Sequence, residues 1–329
     1  MSRKIKIAVI GVGYLGNYHT EKYAKLPDVE LVAVVDTNRD RAKAIADRYQ
    51  TKFYTNYRDV LDQVQAVSIV VPTEYHYAVT QQCLEAGLDV LVEKPMTKKV
   101  WQAEKLLALA KNKKTILQVG HLERFNSAIE HAKTILTKPL FIECHRLNSF
   151  VERGTDVDVV LDLMIHDLDI ILSLVPSPVL KIDAVGTPVL SGNIDIANVR
   201  LRFQNGCVVN LTASRISFNP MRKMRIFQPD AYVSLDFNKA NVEIYRTVSD
   251  DTYSLPQIKG EQLSLQKKDA LEEEIRAFVD AVKKRDDLYS SAERALKALK
   301  LADQVVREIK KTARKYYPKL TENLPAFQA

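Results

Sequence analysis

Lys4 to Ile10 is a short apolar β run. Gly11-Val12-Gly13-Tyr14-Leu15-Gly16 follows at once and opens a helical stretch to about Leu26. A second β run, Glu30 to Val35, ends at Asp36, 20 positions after Gly16. No other feature constrains the chain as much as this strand–turn–helix–strand–acid order. Two strands joined through a helix pair in parallel, and a parallel sheet needs helices over both faces. Gly11 permits the tight turn, Gly13 lets backbone approach a pyrophosphate, and Gly16 allows close helix–strand packing. The helix start at Tyr14 and Leu15 offers N–H groups and positive dipole to phosphates. Asp36 suits the ribose hydroxyls of NAD, while Arg39 nearby keeps NADP open.

The alternation continues. Thr37 with Asp40 predicts the cap of a helix running to about Tyr49, and Asn56 begins a short one. Ala66 to Val71 reads as a buried strand, followed by Pro72-Thr73-Glu74-Tyr75-His76 and a helix stopped by Gly87. Val90 to Val92 is another such strand, broken by Glu93-Lys94-Pro95, before a helix from about Val100 and a strand Thr115 to Val119. This is the pattern of a doubly wound parallel sheet, a Rossmann domain over residues 1–122. From 123 to 329 the period changes. Leu140 to Phe150, Lys181 to Thr187, Ala197 to Phe203, Cys207 to Ile216 and Lys223 to Gln228 read as strands, with a hairpin turn at Gln204-Asn205-Gly206. A helix Val159 to Leu174 lies among them, so the second domain is α+β with a mainly antiparallel open sheet. Two helical stretches close the chain and are expected to pack back on the first domain. One carries the stripe Leu271, Ile275, Phe278, Val279 and Val282; the other starts with Ser290 and Glu293 as a capping box.

Chemistry concentrates where strands end. In open α/β sheets ligands bind beyond the carboxyl ends of the strands, and Lys94 stands at such an end. Asp162 and His166, four apart on one helix face, can orient and move a proton. Asp167 and Asp169 read as helix-surface acids. Arg124 and Asn126, after the Thr115 to Val119 strand, suit sugar hydroxyls or phosphate. His121 reads as a structural hydrogen-bonder, and His19, His131 and His145 as structural or surface residues.

Composition narrows the partners. With 46% hydrophobic residues among 329 the chain can bury a sizeable core. Three cysteines without CxxC spacing make neither a disulfide framework nor a zinc site, which fits a reducing cytoplasm. No metal is implied, no apolar run spans a membrane, and no aromatic-interleaved basic patch marks nucleic acid. A net charge of +7 suits an anionic substrate.

Gly11-x-Gly13-x-x-Gly16, Asp36, Pro72-Thr73-x-x-His76, Glu93-Lys94-Pro95 and Asp162-xxx-His166 together resemble the Gfo/Idh/MocA oxidoreductases over nearly the whole chain. The resemblance implies NAD bound across the first domain, with Glu93, Pro95, Pro72, Thr73 and His76 on the cofactor side and Lys94-Pro95 as a cis peptide. It implies Lys94 and His166 as catalytic pair, Asp162 as an orienting or substrate group, and a sugar or nucleotide-sugar substrate. Gly120-His-Leu-Glu-Arg-Phe-Asn126 and Asp158-Val-Val-Leu-Asp-Leu-Met-Ile-His-Asp167 are similar to the branch that oxidises position three of UDP-N-acetylglucosamine, whose product passes to an aminotransferase on the way to diamino sugars of lipid A or surface polysaccharide. Arg124, Asn126, Arg153 and Arg215 would then meet the substrate. An inositol-type or UDP-uronate-type dehydrogenase is the alternative within the family. A non-catalytic NAD-binding regulator is the alternative outside it, disfavoured because Lys94, Asp162 and His166 occur together. A large apolar sheet face left uncovered by helices predicts a homo-oligomer, dimer or tetramer.

Overall fold

Six short runs, β1 (Ile5–Ile10), β2 (Val29–Val35), β3 (Lys52–Tyr54), β4 (Ala66–Ile69), β5 (Asp89–Glu93) and β6 (Leu117–Gly120), pair in parallel in the order β3-β2-β1-β4-β5-β6. They belong to a computed structural model that describes residues 4–151, 157–248, 257–266, 268–286, 288–318, 321 and 325–328. The chain divides into two compact units, Met1–Leu122 with Asp269–Lys297, and Glu123–Lys268 with Ala298–Ala329.

In the first unit every residue of β4, β5 and β6 is buried, as a sheet covered on both faces requires. Helices α1 (Tyr14–Lys25), α2 (Arg39–Tyr49), α3 (Thr73–Glu85) and α4 (Val100–Lys113) form the crossovers. The helix Ala270–Lys284 joins them: its Leu271, Ile275, Phe278, Val279 and Val282 share one core with Ile7, Val9, Val34 and Leu91. Phe278 is fully buried, and cutting it to alanine would cost about 3–5 kcal/mol. Two expected caps fall elsewhere. Asn38, not Thr37, caps α2 by accepting the Arg41 N–H at 3.0 Å. No Ser290–Glu293 box forms in the helix Ser290–Tyr316, because the Glu293 N–H goes to the Tyr289 carbonyl and its carboxylate takes Lys111 at 2.6 Å.

The second unit holds an eight-stranded sheet. Its strands are β7 (Phe141–Leu147), β8 (Val179–Thr187), β9 (Ile196–Phe203), β10 (Val208–Ser214), β11 (Met221–Gln228), β12 (Ala231–Asp236), β13 (Asn241–Val248) and β14 (Gln257–Ser264). The order is β14-β13-β12-β11-β7-β10-β9-β8, with β7 and β10 parallel and all other neighbours antiparallel. Gly206, at φ 89°, makes the β9–β10 hairpin turn. The strands β12 to β14 extend the sheet beyond Gln228, where the sequence reading ends. Helix α5 (Ser127–Ile135) packs on β12 and β13. Helix α6 (Ile165–Leu174) continues a π-helical turn, Val160–Met164.

The face opposite the buried residues differs from the apolar surface expected. It carries Arg200, Arg202, Arg225, Asn198 and Glu143 beside an aromatic ladder in which Phe141, Phe227, Tyr232 and Tyr245 stack at 4.9–5.6 Å across four strands. Alternation along the strands sends aliphatic residues inward and leaves this mixed set outside.

Candidate functional site

In the first unit the site begins at the β1/β4 boundary, where strand order reverses and a crevice opens beyond the carboxyl ends. Gly11 has φ 88°, and a Cβ there would lie 2.6 Å from the Val70 carbonyl oxygen. At Gly16 a Cβ would meet the Gly11 carbonyl oxygen at 1.9 Å, so the turn and α1 fit only with glycine. Gly13 is different: a Cβ would find its nearest neighbour, the Arg41 guanidinium, at 3.7 Å. The protein itself does not need glycine there, which leaves room for a ligand's backbone approach. Helix α1 has no side-chain cap and no acid in its first turn, so its N–H groups and dipole face the same space, with Tyr14 exposed at its start. These features fit a dinucleotide pyrophosphate.

Asp36 is fixed beside this turn by N–H bonds from Val12 at 3.1 Å and Asn38 at 2.9 Å. Arg41 approaches its Oδ2 at 3.3 Å, whereas Arg39, the residue singled out by sequence proximity, lies over the Phe53 ring. The cation next to Asp36 is therefore Arg41. One helical turn brings it back over the glycine loop, which spacing along the chain alone does not reveal.

The Lys94-Pro95 peptide is cis. His76, almost fully buried, holds this turn in place: Nδ1 faces the Pro95 carbonyl at 2.8 Å and Nε2 the Val71 carbonyl at 2.9 Å. It ties the Pro72-Thr73 loop that begins α3 to the end of β5. Lys94 is partly exposed, and its N–H donates to Glu93 Oε2 at 3.2 Å. Glu93 Oε1 in turn meets His19 Nε2 at 3.0 Å, and His19 Nδ1 meets the Ser68 hydroxyl at 3.0 Å. Both side chains are buried, and Gly120 leaves the carboxylate space that a Cβ, at 2.8 Å, would take. Burial alone would raise the Glu93 carboxyl, but the His19 hydrogen bond and charge prevail and hold it below its ordinary value. Glu93 therefore points inward and supports the Lys94 backbone, and His19 is a structural residue of that support.

In the second unit Asp162 and His166 are both partly exposed, among buried Leu163, Met164 and Ile165. The helix is not uniformly α. The Ile165 N–H reaches the Val160 carbonyl, a π-type bond, so Asp162 sits on a widened turn just ahead of His166. Asp158 caps this start by accepting the N–H groups of Val160 and Leu161 at 2.9 and 3.0 Å. Burial raises its carboxyl above the ordinary value despite those bonds.

The neighbouring acids are not surface groups. Asp167 is 2% exposed and Asp169 6%. Asp167 takes Arg146 Nε at 2.9 Å and Nη2 at 2.8 Å, while Arg146 Nη1 goes to Glu123 at 2.9 Å. Asp169 is clamped by Arg124 through two bonds of 2.7 and 2.6 Å. Burial alone would lower Arg146, but Asp167 and Glu123 hold it above its ordinary value, so it stays a cation. Arg124 thus commits Nε and Nη2 to a structural ion pair with Asp169. Asn126 caps α5 through its amide oxygen, on the Ala128 N–H at 3.0 Å. Arg215 is 4% exposed and bonds Asp195, Ser191 and the Val157 carbonyl, a structural centre of this unit. Arg153 lies outside the described residues.

Among the described residues no set of three His, Cys, Asp or Glu could hold a metal, and no helix is long and apolar enough to cross a membrane.

A parallel sheet with a glycine-lined pyrophosphate cradle, an acid at the ribose position and a lysine at a strand end defines a nicotinamide-dependent oxidoreductase. Residues 5–121 match the oxidoreductase family with an NAD-binding Rossmann fold, and residues 125–232 match the GFO/IDH/MocA C-terminal domain. The chain belongs to the Gfo/Idh/MocA family of oxidoreductases. It is 35% identical over 302 residues to UDP-N-acetylglucosamine 3-dehydrogenase of Acidithiobacillus ferrooxidans, covering 92% of this chain and 96% of that one. The solved structure of that enzyme superposes with a TM-score of 0.87, covering 94% of this chain and 98% of the other at 34% identity. Scyllo-inositol 2-dehydrogenase (NAD(+)) of Bacillus subtilis is 27% identical over 238 residues, 66% of this chain and 69% of that one.

Proposed function

We propose that the chain is an NAD-dependent dehydrogenase that oxidises C3 of UDP-N-acetylglucosamine to the 3-keto nucleotide sugar. The observation that carries this reading is the likeness to the Acidithiobacillus enzyme over nearly the full length of both chains. Asp36 supports NAD over NADP, because its carboxylate would repel a 2′-phosphate. When bound, the nicotinamide supplies the hydride acceptor. His166 takes the proton of the C3 hydroxyl as hydride leaves C3, so that a C–H and an O–H bond are exchanged for the carbonyl. Lys94, held by Glu93 and the His76 clamp, places positive charge at the hydroxyl oxygen as it loses its proton. Asp162 orients the imidazole or a substrate hydroxyl.

A 3-keto sugar is an acceptor for amino transfer, so an aminotransferase leading to a diamino sugar is the proposed consumer. The proposed setting is the cytoplasm, and the proposed assembly is a homo-oligomer formed through the mixed aromatic and charged sheet face. Sedimentation at micromolar concentration showing only monomer would contradict that assembly.

The activity is tested by following NADH absorbance with the protein, NAD⁺ and UDP-N-acetylglucosamine, beside NADP⁺, inositols and UDP-uronates. We expect a small equilibrium burst with NAD⁺ and UDP-N-acetylglucosamine that grows when an aminotransferase and amino donor are added. NADH formed only with an inositol would replace this substrate by another of the family.

A further inference from the structure

A nucleotide-sugar dehydrogenase must hold a diphosphate, and the arginines that sequence order suggested for it are committed elsewhere: Arg124 to Asp169 and Arg215 to Asp195. Arg146 is likewise enclosed, with a side chain 2% exposed between Asp167 and Glu123. Arg222 stands directly opposite Arg146 in the antiparallel β7–β11 register, so the two side chains leave the sheet on the same face, the face covered by α6. Its side chain is 38% exposed, and its ion pair is a long one, to Glu123 at 3.5 Å. That carboxylate already accepts Arg146 at 2.9 Å, so the Glu123 contact leaves most of the Arg222 fork open. Burial, and then the charge of Arg146 beside it, lower Arg222 below the ordinary arginine range, while Glu123 and then Asp167, the residue after His166, act on it in the opposite sense. An arriving anion would relieve the crowding of the two guanidinium groups. Arginine also matches phosphate geometry with two parallel bonds.

We propose that Arg222 binds the diphosphate of the nucleotide sugar, placing the sugar ring toward His166. This rests on the nucleotide-sugar reading above. The neighbouring cation Lys223 points to the opposite face and pairs with Asp236 at 3.7 Å, which makes it the internal control.

The test is calorimetric titration of UDP into the full chain with NAD⁺ present, together with KM and kcat for UDP-N-acetylglucosamine, on wild type, Arg222→Gln, Arg222→Lys and Lys223→Gln. For Arg222→Gln we expect UDP affinity to fall, and KM to rise, about ten- to hundredfold with kcat within about twofold, as the loss of a charge-assisted bidentate contact implies. Arg222→Lys should recover part of the affinity, and Lys223→Gln should match wild type. If wild type oxidises UDP-N-acetylglucosamine and Arg222→Gln keeps its UDP affinity and KM, the assignment of Arg222 is overturned while the substrate stands. If wild type neither binds UDP nor oxidises the nucleotide sugar, both fall together.

Discussion

Glu93 shows how one buried carboxylate can hold a neighbouring backbone and a distant imidazole at once. It accepts the Lys94 N–H and the His19 imidazole at once, so the lysine's backbone is fixed from inside the sheet. Breaking a buried pair by removing one charge costs about 3–5 kcal/mol, so Glu93→Gln should lower the melting temperature clearly at pH 7. The sign of the pH effect follows from the direction of the shift. The folded Glu93 carboxyl lies below its ordinary value, so its stabilisation is complete above the unfolded value of about 4.3 and is lost as pH falls through the folded one. Thermal melts of Glu93→Gln and wild type should therefore differ at neutral pH and converge in acid; an equal gap at both pH values would contradict the pairing. Gly13 gives a second test at this scale. Since an alanine Cβ there meets protein only at 3.7 Å, Gly13→Ala should fold with a near-native melting temperature yet bind NAD⁺ at least about tenfold more weakly. Unchanged NAD⁺ affinity in that variant would mean the dinucleotide does not pass over this loop.

At the scale of elements, α6 is held by acids that look from sequence like solvent-facing residues. Helical spacing picks out Asp162 and His166, but it says nothing of the two arginines on other segments that draw Asp167 and Asp169 inside. Arg146, 21 residues before Asp167, lies in a strand that otherwise alternates as expected, and its burial is a property of the assembled unit. Removing it strands the buried Asp167 and leaves Glu123 with only the long Arg222 contact. Arg146→Leu should cost about 3–5 kcal/mol in urea unfolding, whereas Arg146→Leu combined with Asp167→Leu and Glu123→Gln should recover much of the loss. A single variant as stable as wild type would show that this network contributes nothing. The same limit explains the unread strands. β12 and β13 alternate well enough to be recognised, but β14 is polar, contains Gly260 and exposes Ile258, so only its pairing with β13 reveals it.

For the whole molecule, the first unit was the more legible half. Its glycine turn, Asp36 and the strand ends are local patterns, and most neighbouring strands are consecutive in sequence. Sequence alone also exposed the apolar stripe of the helix Ala270–Lys284, although not which residues, Ile7 and Val34 among them, share its core. What stayed hidden depends on the assembled backbone: His19 on Glu93 and Arg146 on Asp167 join distant segments, and Arg41 reaches Asp36 only through the turn of α2. The three cysteines, all buried and unpaired, remain ordinary core residues; burial pushes the Cys83 thiol up to about 12, far from reactive.

The central claim is that hydride leaves C3 of the nucleotide sugar while His166 and Lys94 manage the hydroxyl proton. UDP-N-acetylglucosamine carrying deuterium at C3 tests it most directly, with the label in the reduced cofactor read by mass spectrometry for wild type, His166→Ala and Lys94→Ala. We expect one deuterium transferred per turnover in wild type, and rates lower by about 10²- to 10⁴-fold in each variant with NAD⁺ binding retained. Unlabelled NADH from the labelled sugar, or full activity in either variant, would contradict the account.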